Sequence, residues 1–413
     1  MSSRETLNSA LAEAAVIEHS ITCQYLFAAF SLKTHPSEGG VDWVGLERIR
    51  GWKAEILAVA RQEMAHHGML CNLLIVTGGA PQFQRPSFPH PVRLCPPHAT
   101  FDLLPFSGEA LSRFADYERV HAPDPAAAGR PGRPTTLGDL YRLIRDALVH
   151  IDRTNPRLFI GPAEHQITNR ELRIRQGQFD VDLAAATDAA SAVALIDRIL
   201  EHDHHARFVA IQRELDELRR RDPAFEPARP VATNPRVHTP PAALGPVTLI
   251  RHPLSRAAAE LFNAAYAVMV LMLTRLYGRS NETEGEVDGL LRIAFFPLMT
   301  AVIRPLGEVL THMPVEEGAP APTAGPCFEL PPNLQLQPFK RGAWVYLHET
   351  LQEIAAMCGA LRGGLDEASE PWAAAVRPRV VLLHENLERL AVNFEEHMGL
   401  RREYAQHMLK GIR

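Results

Sequence analysis

The chain has 413 residues, 46% hydrophobic and 22% charged, with a formal net charge of −5. That length suffices for more than one buried core, the composition excludes a disordered or fibrous chain, and the acidic balance excludes a nucleic-acid groove as the default reading. Five widely spaced cysteines without a Cys-x-x-Cys pair argue against a disulfide framework or a thiolate zinc site, and for a reducing compartment.

Helical periodicity dominates from the start. Leu7, Leu11, Ala14, Glu18, Ile21, Tyr25, Ala28 and Leu32 recur in steps of three and four, one stripe of a long helix. Pro36 and Gly39-Gly40 end it. Ile49, Trp52, Ile56, Val59, Glu63, His66, Leu70 and Leu73 form the stripe of a second long helix, closed by Gly78-Gly79. The Pro-rich passage from Pro81 to Pro105 reads as a crossover with little regular structure. Ser107 is a good N-cap for a helix carrying Leu111, Phe114 and Glu118. After an Ala/Gly/Pro-rich loop from Pro123 to Pro134, Thr136 caps a helix with Leu137, Tyr141, Ile144, Leu148 and Ile151 as its stripe. Residues 154–180 look irregular. One long helix is expected over 188–221, with the stripe Val193, Asp197, Leu200, His204, Phe208, Ile211, Leu215 and Leu218. It serves as the fourth helix of a bundle whose third is supplied by the segments around Glu118 and Tyr141.

Pro-rich residues 223–246 mark a linker between a bundle at 1–222 and a second helical domain at 247–413. Helical patterns follow near 253–278, 285–313, 340–362 and 371–411, with a Pro/Gly-rich loop from Glu316 to Pro338. The most apolar stretch, Leu261 to Leu276, is interrupted by Asn263 and Arg275, is short for a membrane span and reads as a buried helix. No basic segment followed by an apolar core opens the chain, so a cytoplasmic protein without membrane association is expected. The fold class is all-α, a four-helix bundle followed by a second helical unit.

Charges do not belong in apolar helix stripes, because a buried carboxylate costs several kcal/mol, by order of magnitude, unless it is paired or bound to a cation. Yet Glu18 sits in the first stripe, Glu63 and His66 in the second, and His204 in the fourth, with Glu201 one turn earlier on its flank. Glu-x-x-His puts both side chains on one side of a helix. Two such pairs, Glu63/His66 and Glu201/His204, with single glutamates from the other two helices, converge on one point in a bundle core. That is the ligand pattern of di-metal carboxylate bundles. Carboxylate and imidazole donors suit iron, in one or two ions, or manganese. Glu118 is the first choice for the remaining glutamate, ahead of Asp146, which points about 160° away from Ile144. Tyr141 is either a hydrogen-bond donor to the ligands or ordinary core. His67, His202 and His205 are read as neighbours of the site rather than ligands.

The stretches "AEAAVIEHSITCQYLFAAFSLK" at 12–33 and "EILAVARQEMAHHGMLCNLLIVTGGAPQFQRPSFP" at 55–89 resemble the ferritin-like family of iminophenyl-pyruvate dimer synthases. That family includes the violacein imine-dimer synthase and the chromopyrrolic acid synthases. "FADYERVHAP", "LGDLYRLIRDAL" and "HHARFVAI" extend the resemblance through the bundle. "LFNAAYAVMVLMLTRLY", "FFPLMTAVIRPLGEVLTHMP", "TAGPCFEL" and "KRGAWVYLHETLQE" carry it into the second half. The resemblance implies an iron-dependent oxidative enzyme of secondary metabolism. Its substrate would be a small amino-acid-derived molecule, coupled through an imine or enamine or oxidised at nitrogen, with dioxygen or peroxide as oxidant. It also implies a partner amino-acid oxidase that makes the imino acid, and Glu18, Glu63, His66, Glu118, Glu201 and His204 as metal ligands. Two departures are visible. The synthases are much longer chains, and their glycine-containing insertion before the last histidine is here compressed to Glu201-His202-Asp203-His204. Two alternatives stay open: a ferritin-like iron-binding protein without an organic substrate, and a metal-free partner subunit. A homo-oligomer is also left open.

In the second half, Glu260, Asn263, Glu308, His312, His348, Glu349 and Glu353 lie in apolar helices without a Glu-x-x-His pair, which favours caps and ion pairs over a second metal site. Lys340-Arg341 beside Trp344 reads as a solvated helix start before it reads as a carboxylate-binding pair.

Overall fold

The structure is a computed structural model that describes residues 1–401 apart from 93–99, 120–133, 156, 176–177, 179–180, 241–244 and 319–320. The loop expected at 123–134 lies outside the described residues except for Pro134, as does the last stretch of the helix expected to reach 411. The chain divides into two compact units, Met1–Asn234 with Ala242–Val247, and Pro235–Pro241 with Thr248–Arg413.

The first unit opens with α1 (Arg4–Ser31) and α2 (Trp43–Val76), which pack together along their lengths. Each begins on a side-chain cap: Ser3 accepts the N–H of Thr6, and Asp42 accepts that of Gly45 at 2.7 Å. Every residue of the two expected stripes is buried. Gly161 seals the end of α2, its N–H donating to Val76 O; a Cβ there would stand 1.7 Å from Ile75 O, so only glycine fits.

The third bundle helix comes in two pieces, α3 (Gly108–Tyr117) and α4 (Leu137–Thr154), capped by Ser107 and Thr136 as the sequence suggests. After the short α5 (Asn169–Leu172), the fourth also comes in two pieces, α6 (Ala189–Glu201) and α7 (His204–Arg221). α3 packs on α7 and α4 on α6. The single helix expected over 188–221 is therefore corrected. Asp203 stops it by capping α7, its carboxylate accepting the N–H of Ala206 at 3.0 Å. The buried face of α6 is Ala192, Leu195, Ile196 and Ile199, one residue out of phase with the expected Val193, Asp197 and Leu200. α7 keeps the expected His204, Phe208, Ile211 and Leu215.

The passage after α2 adds β1 (His90–Pro91) paired antiparallel with β2 (Thr100–Phe101). His90 is buried there with Nε2 3.2 Å from Ser20 Oγ, whose own proton goes to Val16 O. Burial, then the charge of Arg85, pushes its pKa from 6.5 to about 4. The unfolded chain thus takes up this proton first as the pH falls. The contribution is complete above pH 6.5, and on the order of 2–3 kcal/mol of it is lost on descending to about 4. Urea midpoints at pH 7 and 4.5 should accordingly fall less for His90→Gln than for the wild type; equal losses would remove His90 from the account.

The second unit carries the short strands β3 (Pro235–Arg236) and β4 (Thr248–Leu249), paired parallel, and the helices α8 (Pro253–Tyr277), α9 (Glu284–Asp288), α10 (Arg304–Leu310), α11 (Lys340–Glu367) and α12 (Pro371–His397). α8 packs on α11 and α11 on α12. Between α9 and α10 the backbone continues as wide π-helical turns at Gly289–Phe295 and Leu298–Ile303. Pro297 lies between them, and its missing N–H cannot close an ordinary helical turn. Residues 253–277 and 284–310 are long and apolar enough to cross a membrane by length and composition, contrary to the reading of Leu261–Leu276 as too short. α8 is nevertheless a core helix: Phe262, Tyr266, Val270 and Leu271 are buried within the unit.

Candidate metal centre

The site lies where both broken helices are interrupted. α1 contributes Glu18 and α2 contributes Glu63 and His66 one turn apart. Glu118 is the C-terminal cap of α3, and His204 is the first residue of α7. Glu18, Glu63, His66 and His204 are each at most 2% exposed. Two groups form, Glu18–Glu63–His66 and Glu63–Glu118–His204, each with one donor atom per residue and all donor atoms of a group within 4.8 Å of one another. Glu63 belongs to both.

Both imidazoles turn Nδ1 toward the carboxylates. His66 Nδ1 lies 2.9 Å from Glu63 Oε2 and 3.8 Å from Glu18 Oε2. His204 Nδ1 lies 2.5 Å from Glu63 Oε1 and 3.6 Å from Glu118 Oε2. Two tyrosines close the polar shell, Tyr141 donating to Glu18 and Tyr25 to Glu118. Tyr25 packs edge-on against Phe114 at 4.7 Å and beside Phe208 at 4.8 Å, which shields this end of the cluster with apolar surface.

Burial disfavours charge on every member. Burial and the neighbouring Glu63 charge raise Glu18 and Glu118 above the ordinary carboxylate range. Glu63 goes the other way: burial opposes its charge, but His204 and His66 on either side more than offset that. For the same reason His66 rises to about 9 and His204 to about 10, with Glu63 outweighing the burial that would lower them. The metal-free cluster is thus a carboxylate flanked by two imidazolium ions and two carboxyls that resist ionisation.

The donor set fits a cation by a direct observation. Glu18 Oε2 and Glu63 Oε1 are buried acceptors without a hydrogen bond, although Glu63 Oε1 has His204 Nδ1 as an ion-pair neighbour at 2.5 Å. A buried unsatisfied carboxylate oxygen is costly, and a metal ion satisfies it. Oxygen and imidazole donors without thiolate match iron or manganese.

Glu201, expected as a ligand, is corrected. It is exposed at the end of α6 and belongs to neither group, because the break at His202-Asp203 destroys the one-turn relation of Glu-x-x-His. His202 turns inward instead, its Nδ1 2.7 Å from His66 Nε2. Asp146 is exposed on α4, which leaves the third-helix carboxylate to Glu118. His67 donates from Nε2 to Gln82 O and stacks on His19, and His205 donates from Nδ1 to Ala115 O; neither joins the cluster. The sequence places Tyr25 on the first stripe without a role at the site, and assigns none to Gln62. Tyr25 lies two turns after Glu18 on the same stripe, a spacing that points at the same core, whereas Gln62 precedes Glu63 and carries no periodic signal.

In the second unit no comparable carboxylate–imidazole group occurs among the described residues. Arg256 pairs with Glu260, Asn263 hydrogen-bonds Glu329, and Lys340 pairs with Glu286 at 3.0 Å, which accounts for Glu260, Asn263 and Lys340.

With this geometry in place, the comparisons define the class. Residues 11–203, within the first unit, match the Ferritin-like family model. The resemblance drawn from the motifs also stands. The chain is 29% identical over 389 residues to the dichlorochromopyrrolate synthase of Lentzea aerocolonigenes, covering 80% of this chain and 36% of that protein. It is 28% identical over 364 residues to the 2-imino-3-(indol-3-yl)propanoate dimerase of Chromobacterium violaceum, covering 78% of this chain and 34% of that protein. The chain therefore spans about a third of the length of the curated relatives it matches. A solved ferritin like protein from Caulobacter vibrioides aligns with a TM-score of 0.45 at 16% identity, over 73% of this chain and 93% of that one.

Proposed function

We propose that the chain is an iron-dependent oxidative enzyme of secondary metabolism, acting on an amino-acid-derived imine or enamine. The observation that carries the reading is the pair of buried carboxylate–imidazole groups sharing Glu63, two of whose carboxylate oxygens make no hydrogen bond within the protein. Glu18, Glu63, His66, Glu118 and His204 would hold one or two ions, with Glu63 common to both groups. Bound iron would supply electron transfer to dioxygen or peroxide, which the side chains alone do not offer. Manganese fits the same donors.

The remaining chemistry falls to the chain. Joining two imines through a carbon–carbon bond removes two electrons and two protons, and the oxidant must accept the electrons. Tyr25 and Tyr141 hold protons at the cluster edge, where burial followed by the Glu118 and Glu18 charges keeps their phenols from ionising. The names of the two relatives, a synthase and a dimerase of an indolyl imine, support this substrate class. An amino-acid oxidase would supply such an imine from an aromatic amino acid. Cys23, Cys71, Cys327 and Cys358 are buried thiols outside any disulfide, in keeping with a reducing cytoplasm.

The test is dioxygen uptake by the chain after anaerobic Fe(II) loading, with an amino-acid oxidase turning over an aromatic amino acid and catalase controlling the peroxide. The expected result is iron-dependent formation of a dehydrogenated dimer. Iron bound without oxidation of any amino or imino acid would instead favour a ferritin-like iron-binding protein. No bound iron or manganese at all would sink both readings.

A further inference from the structure

We propose that His202 is a positioning residue for the metal centre: its Nδ1 accepts the Nε2–H of His66 and holds the Nδ1 lone pair of His66 toward Glu63 and Glu18. The inference rests on reading the carboxylate–imidazole cluster as a metal site.

The backbone explains how His202 arrives there. In a continuous helix, residues two apart lie about 200° apart around the axis and face opposite sides. Here α6 ends at Glu201 and His202 is extended, with φ −77° and ψ 123°, before Asp203 starts α7. The break brings His202 and His204 to the same side, with ring centroids 5.4 Å apart and planes 14° from parallel. His66 lies beside both, its ring centroid 4.9 Å from that of His202 and 5.6 Å from that of His204. The same break sends Glu201 into solvent. The compressed Glu201-His202-Asp203-His204 segment thus exchanges a carboxylate at the site for an imidazole behind it.

Hydrogen-bond bookkeeping then assigns the roles. Each ligand histidine has one nitrogen toward the carboxylates and the other held from behind. For His204 the holder is Gln62, whose buried Oε1 lies 2.9 Å from Nε2 and can only accept. For His66 the holder is His202 at 2.7 Å. An imidazole that binds a cation through Nδ1 carries its proton on Nε2. His66 must therefore donate, His202 Nδ1 must accept, and the remaining His202 proton sits on its Nε2. His202 as a whole is half-buried. Partners of this kind fix the ring and tautomer of a ligand, and their loss typically weakens metal binding by about 10–100-fold.

The test uses the full chain and Co(II) alone as probe. Wild type, His202→Ala and His202→Asn are titrated with Co(II), and the hyperfine-shifted imidazole N–H signals are recorded in water by proton NMR. The expected result is about 10–100-fold weaker binding in His202→Ala, with the His66 N–H signal broadened by faster exchange. His202→Asn, whose Oδ1 can take the place of Nδ1, should recover most of both. Three outcomes overturn the proposal. If wild type binds no Co(II), the metal reading fails and this inference with it. If wild type binds and His202→Ala matches it in affinity and N–H exchange, only the role of His202 fails. If asparagine gives no recovery while alanine and asparagine variants retain wild-type circular dichroism, acceptance at Nδ1 is not what His202 contributes.

Discussion

Glu63→Ala should abolish metal binding at both carboxylate–imidazole groups, reducing affinity by more than the roughly 10–100-fold that loss of an outer hydrogen-bond partner costs. The reason is its double membership. Removing Glu18 leaves Glu63, Glu118 and His204 as one complete group, and removing Glu118 leaves Glu18, Glu63 and His66. Removing Glu63 leaves neither. It also withdraws the charge that holds His66 and His204 near 9 and 10. Glu63→Gln is the sharper variant, because it keeps the shape and an acceptor oxygen while losing the charge. Metal analysis after anaerobic Fe(II) loading, with circular dichroism as the folding control, should give metal-poor, folded protein. Glu201→Ala should retain the wild-type metal content. Equal loss in Glu63→Gln and Glu201→Ala would mean that the helix break does not set the ligands, and would restore the Glu-x-x-His reading.

That comparison also separates what could be read in the sequence from what could not. α1 and α2 are uninterrupted stripes, so a charge within them stands out, and Glu18, Glu63 and His66 needed only periodicity and the cost of burying charge. Glu118 is harder, because it caps the short α3 and its place at the core depends on how α3 packs on α7. The fourth helix misled because Leu200, His204 and Phe208 keep steps of four across the break. The signal was present as a phase slip: the buried positions run Ile196, Ile199, His204, Phe208, and a step of five fits no continuous helical face. Asp203 ahead of a new stripe was the matching cap. Competition between a plausible Glu-x-x-His motif and this slip was settled by tertiary packing, with α6 on α4 and α7 on α3. His202 could be read only as a neighbour of the site, since its direction exists only once the helix is broken.

Glu282→Ala should destabilise the second unit by about 3–5 kcal/mol, the usual result of leaving one member of a buried ion pair without its partner. Arg275 and Glu282 have side chains only 2% exposed, and the guanidinium donates to Glu282 through both Nε and Nη2. Two further donors are also used, Nη1 to Pro338 O at 2.6 Å and Nη2 to Ser280 Oγ at 3.1 Å, while Glu282 Oε2 accepts the Ser280 N–H at 2.7 Å. The pair thus ties the end of α8 to the turn before α9 and to the approach to α11, beneath Trp344 at 5.9 Å. Taking away the carboxylate leaves a buried cation with carbonyl and hydroxyl partners only. Replacing both members, as in Arg275→Met with Glu282→Leu, removes the stranded charge together with the pair and should cost much less. Denaturant melts of the two variants, with metal content as the control for the first unit, decide between charge burial and simple packing. A double variant as unstable as Glu282→Ala would assign the effect to the lost tether between α8 and α9 rather than to the uncompensated guanidinium.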